Sequence, residues 1–400
     1  MFYTLADSVY LVDGAVNSCI YDLAKGKLYS ISRDGAILLK SGNAKTALEK
    51  DFFEKLLSVE LIVKRTYSKT DILCLKREPV ISFAWVEITN KCNLECIHCY
   101  ENSSPHRNSV MSNQQFERCV NELKALGVKS IQVIGGEPLL LGKELLIPSL
   151  VIAANSFEKV EIFTNGTLID KEWVSIFKKL GIHVAVSVYS YASDEHDKVT
   201  GIQGSHQRTC HSLELLDKFQ VRYRVASLRF KNVKLGKKTN QCFTLFNRKR
   251  SIVLAGRASL SLYNKSMLLA KMLTLKCFSK SISFDSVSKM VSGHNCFSTR
   301  LYIDSNMDVY PCVMERQFKH GNLLDNNLSD ILKTEIFDLT KDKIESCKVC
   351  EFRYACMDCR PDRFSGNLYA KPWYCAYVPE EGKWLSKSDF FKILEGLQCA

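Results

Sequence analysis

Three closely spaced cysteines, Cys92, Cys96 and Cys99, constrain the fold and chemistry of this chain more than any other feature. Cysteine thiolates are the usual protein ligands of iron–sulfur clusters, and the spacing C-x3-C-x2-C allows one loop to bind several irons. A [4Fe–4S] cluster has four irons, so three ligands from this loop would leave one iron open. The alternative is a zinc site that takes its fourth ligand elsewhere, for example from the nearby His98.

The remaining cysteines indicate metal clusters rather than disulfides. The chain has seventeen cysteines in 400 residues, and seven of them lie between Cys296 and Cys375. Its first residues lack the basic segment and apolar core of a secretory signal, and no segment approaches the length of an apolar membrane span. We therefore predict a cytoplasmic protein, because in that compartment thiols stay reduced and available to metals.

A C-terminal segment with little hydrophobic periodicity holds the second group of cysteines. Such a segment can form only a small apolar core, so we expect bound clusters to organise its fold. The alternative is a zinc ribbon on the pairs Cys347/Cys350 and Cys356/Cys359. The group consists of Cys296, Cys312, Cys347, Cys350, Cys356, Cys359 and Cys375.

The segment that begins at Ile81 alternates between strand and helix patterns, which predicts a parallel sheet covered by helices. Ser112 and Gln115 form a capping box at the start of the first helix. The Cys92 loop follows the first strand directly, and ligands of such folds bind at the carboxyl ends of the strands. Strands are predicted at 81–88, 130–134, 160–164, 183–188, 222–230 and 251–255, and helices at 113–126, 143–155, 171–180 and 206–219.

Two further motifs follow predicted strands. Gly135-Gly136-Glu137 comes after the second strand, where glycines let the backbone approach a ligand and Glu137 offers a carboxylate to an ammonium group. Thr164-Asn165-Gly166-Thr167 closes the third strand. An ordinary turn with a left-handed glycine explains this second motif equally well.

Together, the spacing of Cys92, Cys96 and Cys99 and the glycine motif one βα unit later resemble the radical S-adenosylmethionine (radical SAM) superfamily. The resemblance implies an α/β fold, a partial (β/α)6 TIM-like barrel. It also implies a [4Fe–4S] cluster whose open iron binds S-adenosyl-L-methionine (SAM), so that reductive cleavage generates a 5′-deoxyadenosyl radical. The SAM contacts implied in this way are Gly135, Gly136, Glu137, Asn165, Ser187, Arg208 and His98.

The C-terminal cysteines resemble the SPASM domain, which carries two auxiliary [4Fe–4S] clusters. The resemblance assigns Cys347, Cys350, Cys356 and Cys375 to the outer cluster. It assigns Cys296, Cys312 and Cys359 to the inner cluster, with Cys277 or an open site in the fourth position. Two departures exist: the last pair is spaced x2 rather than x3, and Met307 replaces a family glycine, so that we expect Asn306 to take the left-handed turn.

The first 80 residues resemble the winged-helix-like recognition element of enzymes that mature ribosomally made peptides. Such elements bind a leader peptide as an additional strand. The alternative is an extension that only covers the next domain. Strands are predicted at 3–12, 18–23, 27–31 and 61–64, and helices at 33–40 and 44–59. The predicted domains are therefore 1–80 (recognition element), 81–286 (radical SAM partial barrel) and 287–400 (SPASM).

Within the superfamily, sulfatase-maturing enzymes have an aspartate directly after the cysteine that matches Cys312, whereas this chain has Val313. Residues 350–360, Lys371-Pro372 and Trp384 resemble SPASM peptide maturases, and most closely the grasp-with-spasm group. The resemblance implies an oxidoreductase that introduces a thioether or C–C cross-link into a precursor peptide with a leader sequence. The alternatives are a peptide epimerase or dehydrogenase of the same superfamily and a zinc-bound peptide-binding scaffold.

The implied partners are the precursor peptide, an electron donor such as flavodoxin or ferredoxin, and an ATP-grasp ligase of the same pathway. Neither nucleic acid nor a membrane is expected as a partner. The net charge of +12 is concentrated, since 221–284 contains fifteen Lys and Arg and no Asp or Glu. We predict that this stretch, including Arg248, Lys249 and Arg250, guides an acidic peptide toward the barrel. The alternative is a solvated surface.

Overall fold

The computed structural model describes residues 2–65, 71–245, 252–278, 282–363 and 365–398. Its contacts divide the chain into two compact units. The terminal unit contains residues 1–79, 271–295 and 338–400, and the sheet unit contains residues 80–270 and 296–337. This grouping differs from the predicted division at 80/81 and 286/287, because residues 296–337 belong with the sheet.

The described chain contains fifteen strands and eleven α-helices. The strands are β1 (Phe2–Leu5), β2 (Val9–Asp13), β3 (Asn17–Asp22), β4 (Lys27–Ser32), β5 (Ile62–Arg65), β6 (Phe83–Glu87), β7 (Ser130–Ile134), β8 (Lys159–Thr164), β9 (His183–Ser187), β10 (Tyr223–Ala226), β11 (Arg300–Ile303), β12 (Asp308–Tyr310), β13 (Gly321–Asn322), β14 (Tyr377–Val378) and β15 (Lys383–Trp384). The helices are α1 (Arg33–Ser41), α2 (Ala47–Ser58), α3 (Asn113–Ala125), α4 (Gly142–Ser156), α5 (Lys171–Leu180), α6 (Ser193–Thr200), α7 (Ser205–Lys218), α8 (Lys265–Lys271), α9 (Phe284–Ser292), α10 (Leu328–Ile331) and α11 (Lys387–Gln398).

The sheet unit is an α/β fold around one eight-stranded sheet with the order β10-β9-β8-β7-β6-β11-β12-β13. Strands β6 to β10 are parallel neighbours, as the alternating pattern predicts, and α3, α4, α5 and α7 connect them. One face of the central strands is apolar, and its residues Val133, Ile162 and Val184 are fully buried. Each such side chain contributes about 1.5–3 kcal/mol through burial.

The sixth parallel strand is β11, which pairs with β6 at the opposite side of the sheet from β10. The predicted strand at 251–255 was wrong: Ser251 lies outside the described residues, and 252–255 form no strand. Strand β10 also ends at Ala226 instead of Phe230. The polar helix α6 was not predicted, because its eight residues show no apolar periodicity of useful length.

Helix α4 corrects the statement that no segment reaches the length of a membrane span. Together with the turn before it, Pro138–Ser156 is long and apolar enough to cross a membrane by length and composition. In the structure, Leu146, Leu150 and Ala153 on this helix are buried in the core of the sheet unit. Helix α4, which lies between β7 and β8 in the sequence, therefore packs on the sheet.

Side-chain capping boxes stabilise the N-termini of helices α3 and α2. The predicted capping box of α3 is present: Ser112 Oγ accepts a hydrogen bond from the Gln115 backbone N–H, and the Gln115 side chain accepts one from the Ser112 N–H. Helix α2 begins with the same arrangement, between Thr46 and Glu49.

In the terminal unit, β2, β3 and β4 form an antiparallel sheet, and β1 pairs with β5. The predicted strand 3–12 is in fact two strands, because Ser8 adopts a left-handed conformation with φ of 63°. The N-terminal sheet shares a core with the C-terminal segment, in which Tyr21, Phe352 and Tyr377 are buried. The Tyr21 hydroxyl also donates to the Glu351 carbonyl at 2.9 Å.

Candidate functional site

The cysteine loop lines a cavity of about 240 Å³ in the sheet unit. Cys92, Cys96 and Cys99 share its wall with residues at or just beyond the carboxyl end of each strand from β7 to β10. These strand-end residues are Gly135, Gly136, Thr164, Asn165, Ser187, Ala226 and Ser227. Parallel strands bring distant segments of sequence to one edge of a sheet, so this is the edge at which α/β folds bind ligands.

The glycine motif holds the cysteine loop from one side. The N–H of Gly136 donates to the Thr89 carbonyl at 2.7 Å, and the N–H of Glu137 donates to the Lys91 carbonyl at 2.8 Å. A Cβ atom on Gly136 would lie only 2.2 Å from the Lys91 carbonyl oxygen. The glycine is therefore required for close contact between the two loops, in addition to lining the cavity.

The Asn165 turn contacts the cysteine loop from a second side. The Asn165 side-chain amide donates to Asn93 Oδ1 at 2.8 Å and lies 3.8 Å from Cys92 Sγ. The Leu94 N–H also donates to Cys92 Sγ, at 3.4 Å. Gly166 has a φ of 77°, so the motif is both a left-handed turn and a support for Cys92.

A third support comes from Gly256 and Arg257, in a stretch where the sequence showed no motif. The Arg257 guanidinium donates to the Cys96 carbonyl at 2.8 Å and to the Ser103 carbonyl at 2.9 Å. Its backbone N–H donates to the Cys99 carbonyl at 3.0 Å. A single Gly-Arg pair is too common to be recognised as a signal in the sequence.

Glu137 does not line the cavity, although the sequence suggested a role as an ammonium ligand. Its buried carboxylate accepts hydrogen bonds from the Thr164 hydroxyl (2.7 Å), the Asn165 N–H (2.7 Å) and the Leu139 N–H (3.1 Å). Burial raises the pKa of Glu137 to about 7, against the opposing effect of these hydrogen bonds. The side chain thus joins the ends of β7 and β8.

The other predicted SAM contacts divide into two groups. Ser187 and His98 line the cavity, and the His98 ring packs against Tyr189 and Phe230 at centroid distances of 4.9 and 4.8 Å. Burial, together with the positive charge of Arg257, lowers the pKa of His98 to about 4, so that the ring is neutral at pH 7. Arg208 is exposed and does not line the cavity.

The cavity fits a bound polar cofactor. His98 Nδ1 and Ser103 Oγ belong to residues that line it, and both atoms are buried without a hydrogen-bond partner among the described residues. Such atoms are costly unless a ligand or water satisfies them. In the part of the chain that the structure describes, no group of three or more His, Cys, Asp or Glu is placed to hold one metal ion.

The four cysteines assigned to the outer cluster, Cys347, Cys350, Cys356 and Cys375, line a second cavity in the terminal unit. Phe278 and Phe352 line the same cavity. The structure thus brings together residues that lie up to 28 positions apart in the chain.

The inner set is divided between the two units. Cys296 and Cys312 belong to the sheet unit, where burial and then the nearby Cys296 raise the pKa of Cys312 to about 12. Cys359 and Cys277 belong to the terminal unit, and Cys277 is exposed with its sulfur accepting from the Thr274 N–H.

The expectation for the turn after β11 was wrong in one respect. Met307 itself, rather than Asn306, adopts the left-handed conformation, with φ of 69°. The Asp304 carboxylate closes the turn by accepting from the N–H groups of Asn306 and Asp308. Full burial of the Met307 side chain beside Cys119 offsets the backbone strain.

Two family models match the chain. The radical SAM superfamily model matches residues 86–228, and the model of the SPASM iron–sulfur cluster-binding domain matches residues 296–360. These are the segments that contain the Cys92 loop and most of the second group of cysteines.

Two curated relatives from Bacillus subtilis (strain 168) are similar over part of their length. The antilisterial bacteriocin subtilosin biosynthesis protein AlbA is 36% identical over 150 residues, which cover 37% of this chain and 33% of AlbA. The sporulation killing factor maturation protein SkfB is 31% identical over 139 residues, which cover 34% of this chain and 33% of SkfB. The matches thus span about a third of the length of each relative.

Among solved structures, Streptococcus suis SuiB bound to precursor peptide SuiA has a TM-score of 0.52 at 14% identity. The match covers 90% of this chain and 96% of that one. At this level of identity the likeness shows the fold.

Proposed function

We propose that this chain, which combines a radical SAM domain with a SPASM domain, is an enzyme that modifies a ribosomally synthesised precursor peptide. One observation carries the chemistry: Cys92, Cys96 and Cys99 share a cavity with the carboxyl ends of four parallel strands. The substrate class is supported by the names of AlbA, a bacteriocin biosynthesis protein, and SkfB, a killing factor maturation protein, and by the precursor peptide bound to SuiB.

The radical SAM and SPASM domains imply one [4Fe–4S] cluster with SAM and further auxiliary clusters. When bound, cluster and SAM supply a reductive cleavage that yields a radical for hydrogen abstraction from the substrate. Cys92, Cys96 and Cys99 would hold the cluster. The N–H groups of Leu94 and Asn165 would stabilise negative charge on the Cys92 sulfur, because hydrogen bonds to ligand sulfurs favour the more negative state.

We propose that Arg257, rather than Arg208, binds the SAM carboxylate. Among the residues that line the cavity, Arg257 is the single Lys or Arg. A guanidinium presents five N–H donors in a planar fork, and two of the groups of Arg257 are used on the cysteine loop. Gly135, Gly136, Ser187 and His98 would surround the rest of the cofactor. The neutral His98 ring, with its unpartnered Nδ1, suits adenine.

For the auxiliary clusters, we assign Cys347, Cys350, Cys356 and Cys375 to the outer one. Cys296, Cys312 and Cys359 would hold the inner one, with Cys277 or an open position as the fourth ligand. These clusters would accept the surplus electron or bind the substrate.

The reaction that we propose introduces a thioether or C–C cross-link into the peptide. The second candidate reaction is epimerisation or dehydrogenation of the peptide at the same cavity.

The leader peptide is proposed to bind at β4. This strand lies at the edge of the β2-β3-β4 sheet, where it pairs with β3 alone among the described strands. An exposed edge can accept a peptide as an additional strand.

The other proposed partners are an electron donor, such as flavodoxin or ferredoxin, and an ATP-grasp ligase. We place the enzyme in the cytoplasm, which keeps thiols reduced and available to metals.

The test is anaerobic co-expression with the precursor peptide, followed by mass spectrometry of the peptide and by iron and sulfide determination on the protein. A cross-link or a dehydrogenation removes two hydrogens from the peptide, and fragmentation distinguishes them, whereas epimerisation leaves the mass unchanged. A protein that contains zinc without sulfide, or an unmodified peptide beside a SAM-cleaving protein, would contradict the proposal.

A further inference from the structure

A second depression in the sheet unit adjoins the SAM cavity. It has a volume of about 520 Å³, within the range of ligand-binding clefts, and is formed by the segment after β10 and by α8. Tyr189 and Leu228 line both this groove and the cavity, so the groove leads to the place where the radical would form. We call it the β10 groove; its lining is Tyr189, Leu228, Arg229, Phe230, Asn232, Val233, Lys234, Leu235, Asn264 and Met267.

Hydrogen bonds to the backbone hold the wall of the β10 groove in place. The Lys231 N–H donates to the Leu262 carbonyl at 2.8 Å, and the Tyr191 N–H donates to the Leu235 carbonyl at 2.8 Å. The Ser190 hydroxyl donates to the Lys234 carbonyl at 2.8 Å. These bonds hold the segment, which belongs to no strand or helix, against Leu262 and against the residues that follow β9.

The groove is electrostatically one-sided. Its lining contains two cations, Arg229 and Lys234, and no acidic residue, and both side chains are exposed. Glu195, at the start of α6, contacts this segment and is already engaged: its carboxylate accepts from Lys198 Nζ and from the Lys234 backbone N–H, each at 2.9 Å. Neither Arg229 nor Lys234 forms a side-chain salt bridge with a residue that the structure describes.

We propose that the β10 groove binds an acidic residue of the peptide substrate next to the position that is modified, with apolar side chains on either side of it. The two cations pair with the carboxylate, and Leu228, Val233 and Met267 contact the neighbouring apolar groups. We take the occupant to be a peptide rather than a nucleic acid, because six of the ten lining residues carry aliphatic, aromatic or thioether side chains that suit apolar side chains of a peptide. This inference rests on the proposed function for its substrate class.

Two labelled peptides of equal length test the inference, one of alternating Leu and Asp and the other its isosteric Leu/Asn counterpart. Their affinity for the cluster-loaded full chain is measured by fluorescence anisotropy without reductant, so that no chemistry is required. The double variant Arg229→Gln/Lys234→Gln should bind the Leu/Asp peptide about three- to tenfold more weakly than the parent, as expected for two exposed ion pairs. Its affinity for the Leu/Asn peptide should match that of the parent.

The matched control is Lys231→Gln/Lys237→Gln, which removes the same charge from exposed residues of the same stretch outside the groove lining. It should change the affinity for the Leu/Asp peptide less than twofold. An equal loss in both double variants would overturn the inference, since the stretch would then act only as a general positive field. Equal binding of the two peptides to the parent would also overturn it, as would stronger binding of a single-stranded oligonucleotide with the same variant dependence. Because binding is measured apart from turnover, failure of the proposed function would appear separately, in the mass of the precursor.

Discussion

At the scale of single residues, the site depends on side chains that hold the cysteine loop rather than on the cysteines alone. Arg257 contacts the carbonyls of Cys96 and Ser103 and also lines the cavity. The Glu137 carboxylate, predicted from the sequence as an ammonium ligand, accepts hydrogen bonds from the Thr164 hydroxyl and the Asn165 N–H. Arg257, which the sequence analysis did not single out as a site residue, lines the cavity.

Replacing Arg257 by Lys should weaken SAM binding about tenfold or more, because a lysine keeps the charge but loses the planar fork. The affinity for SAM is measured by calorimetric titration of the cluster-reconstituted protein. Arg208→Lys is the discriminating comparison, since Arg208 is exposed and lies outside the cavity lining. A larger loss of affinity in the Arg208 variant would contradict the assignment. Equal iron content in parent and variants is required for the comparison.

A buried charge beside the outer-cluster cysteines leads to a second prediction. Lys341 is fully buried, contacts Asp358, and its Nζ lies 3.9 Å from Cys356 Sγ. Asp358 is also bound by Arg360 at 2.8 Å, so this network carries a net positive charge next to a site for an anionic cluster. Positive charge near a cluster favours its reduced state.

Lys341→Met should therefore lower the reduction potential of one auxiliary cluster, measured by a redox titration followed by electron paramagnetic resonance. Lys341→Arg keeps the charge and should stay closer to the parent. Loss of one partner of a buried ion pair costs about 3–5 kcal/mol, so the thermal midpoint of each variant is recorded as a folding control. An unchanged potential in a folded, iron-replete Lys341→Met variant would refute the role of this lysine.

At the scale of elements, the radical SAM loop and the four outer-cluster cysteines are held by different parts of the fold. The loop after β6 is fastened by the turns after β7 and β8 and by Gly256-Arg257. The outer-cluster cysteines line a cavity of the terminal unit. Among the described residues, the Cys92 loop and the outer-cluster cysteines therefore lie in different compact units.

Replacing Cys92, Cys96 and Cys99 together by Ala should abolish SAM cleavage but leave the auxiliary iron bound. The physical reason is that the auxiliary ligand sets use other cysteines, and that the outer set lies in the terminal unit. Iron and sulfide are counted per chain, and 5′-deoxyadenosine is quantified after reduction. Complete loss of iron from a folded triple variant would show that the two regions are not independent.

At the scale of the whole molecule, the N-terminal 79 residues do not form a separate body. They share a core with the C-terminal segment, and the Ala15 N–H donates to the Val349 carbonyl at 2.8 Å. Leader binding is therefore best tested in the full chain.

The predicted guidance of an acidic peptide by Arg248, Lys249 and Arg250 concerns residues outside the described part of the chain. Charge changes at Arg229 and Lys234 test the same guidance on a described surface.

Proline substitution in β4 tests leader binding. Successive N–H groups of an edge strand point alternately to the neighbouring strand and outward, so Ser30→Pro and Ile31→Pro remove one N–H of each kind. One of the two should keep the parent thermal midpoint and still lose affinity for the leader by at least tenfold, measured by anisotropy with a labelled leader peptide. The other should lower the midpoint. Retention of full leader affinity by both variants would exclude the β4 edge.

The sequence by itself determined the chemistry of the clusters and the parallel βα order. Ligand spacing within one loop, apolar strands and helix caps such as Ser112–Gln115 are local patterns, and local patterns are read without knowing the fold. The match of two family models to 86–228 and 296–360 agrees with these inferences.

Only the tertiary structure decided which distant segments complete the site. Arg257 contacts Cys96 across 161 positions, β11 rather than 251–255 supplies the sixth parallel strand, and β3 docks on the segment around Glu351. None of these pairings has a local signal, since each contact is made by ordinary residues whose partners depend on chain topology. The backbone conformation of Met307 likewise has no local signal in the sequence. Its left-handed conformation is tolerated because the surrounding core, and not the preference of methionine, determines the turn.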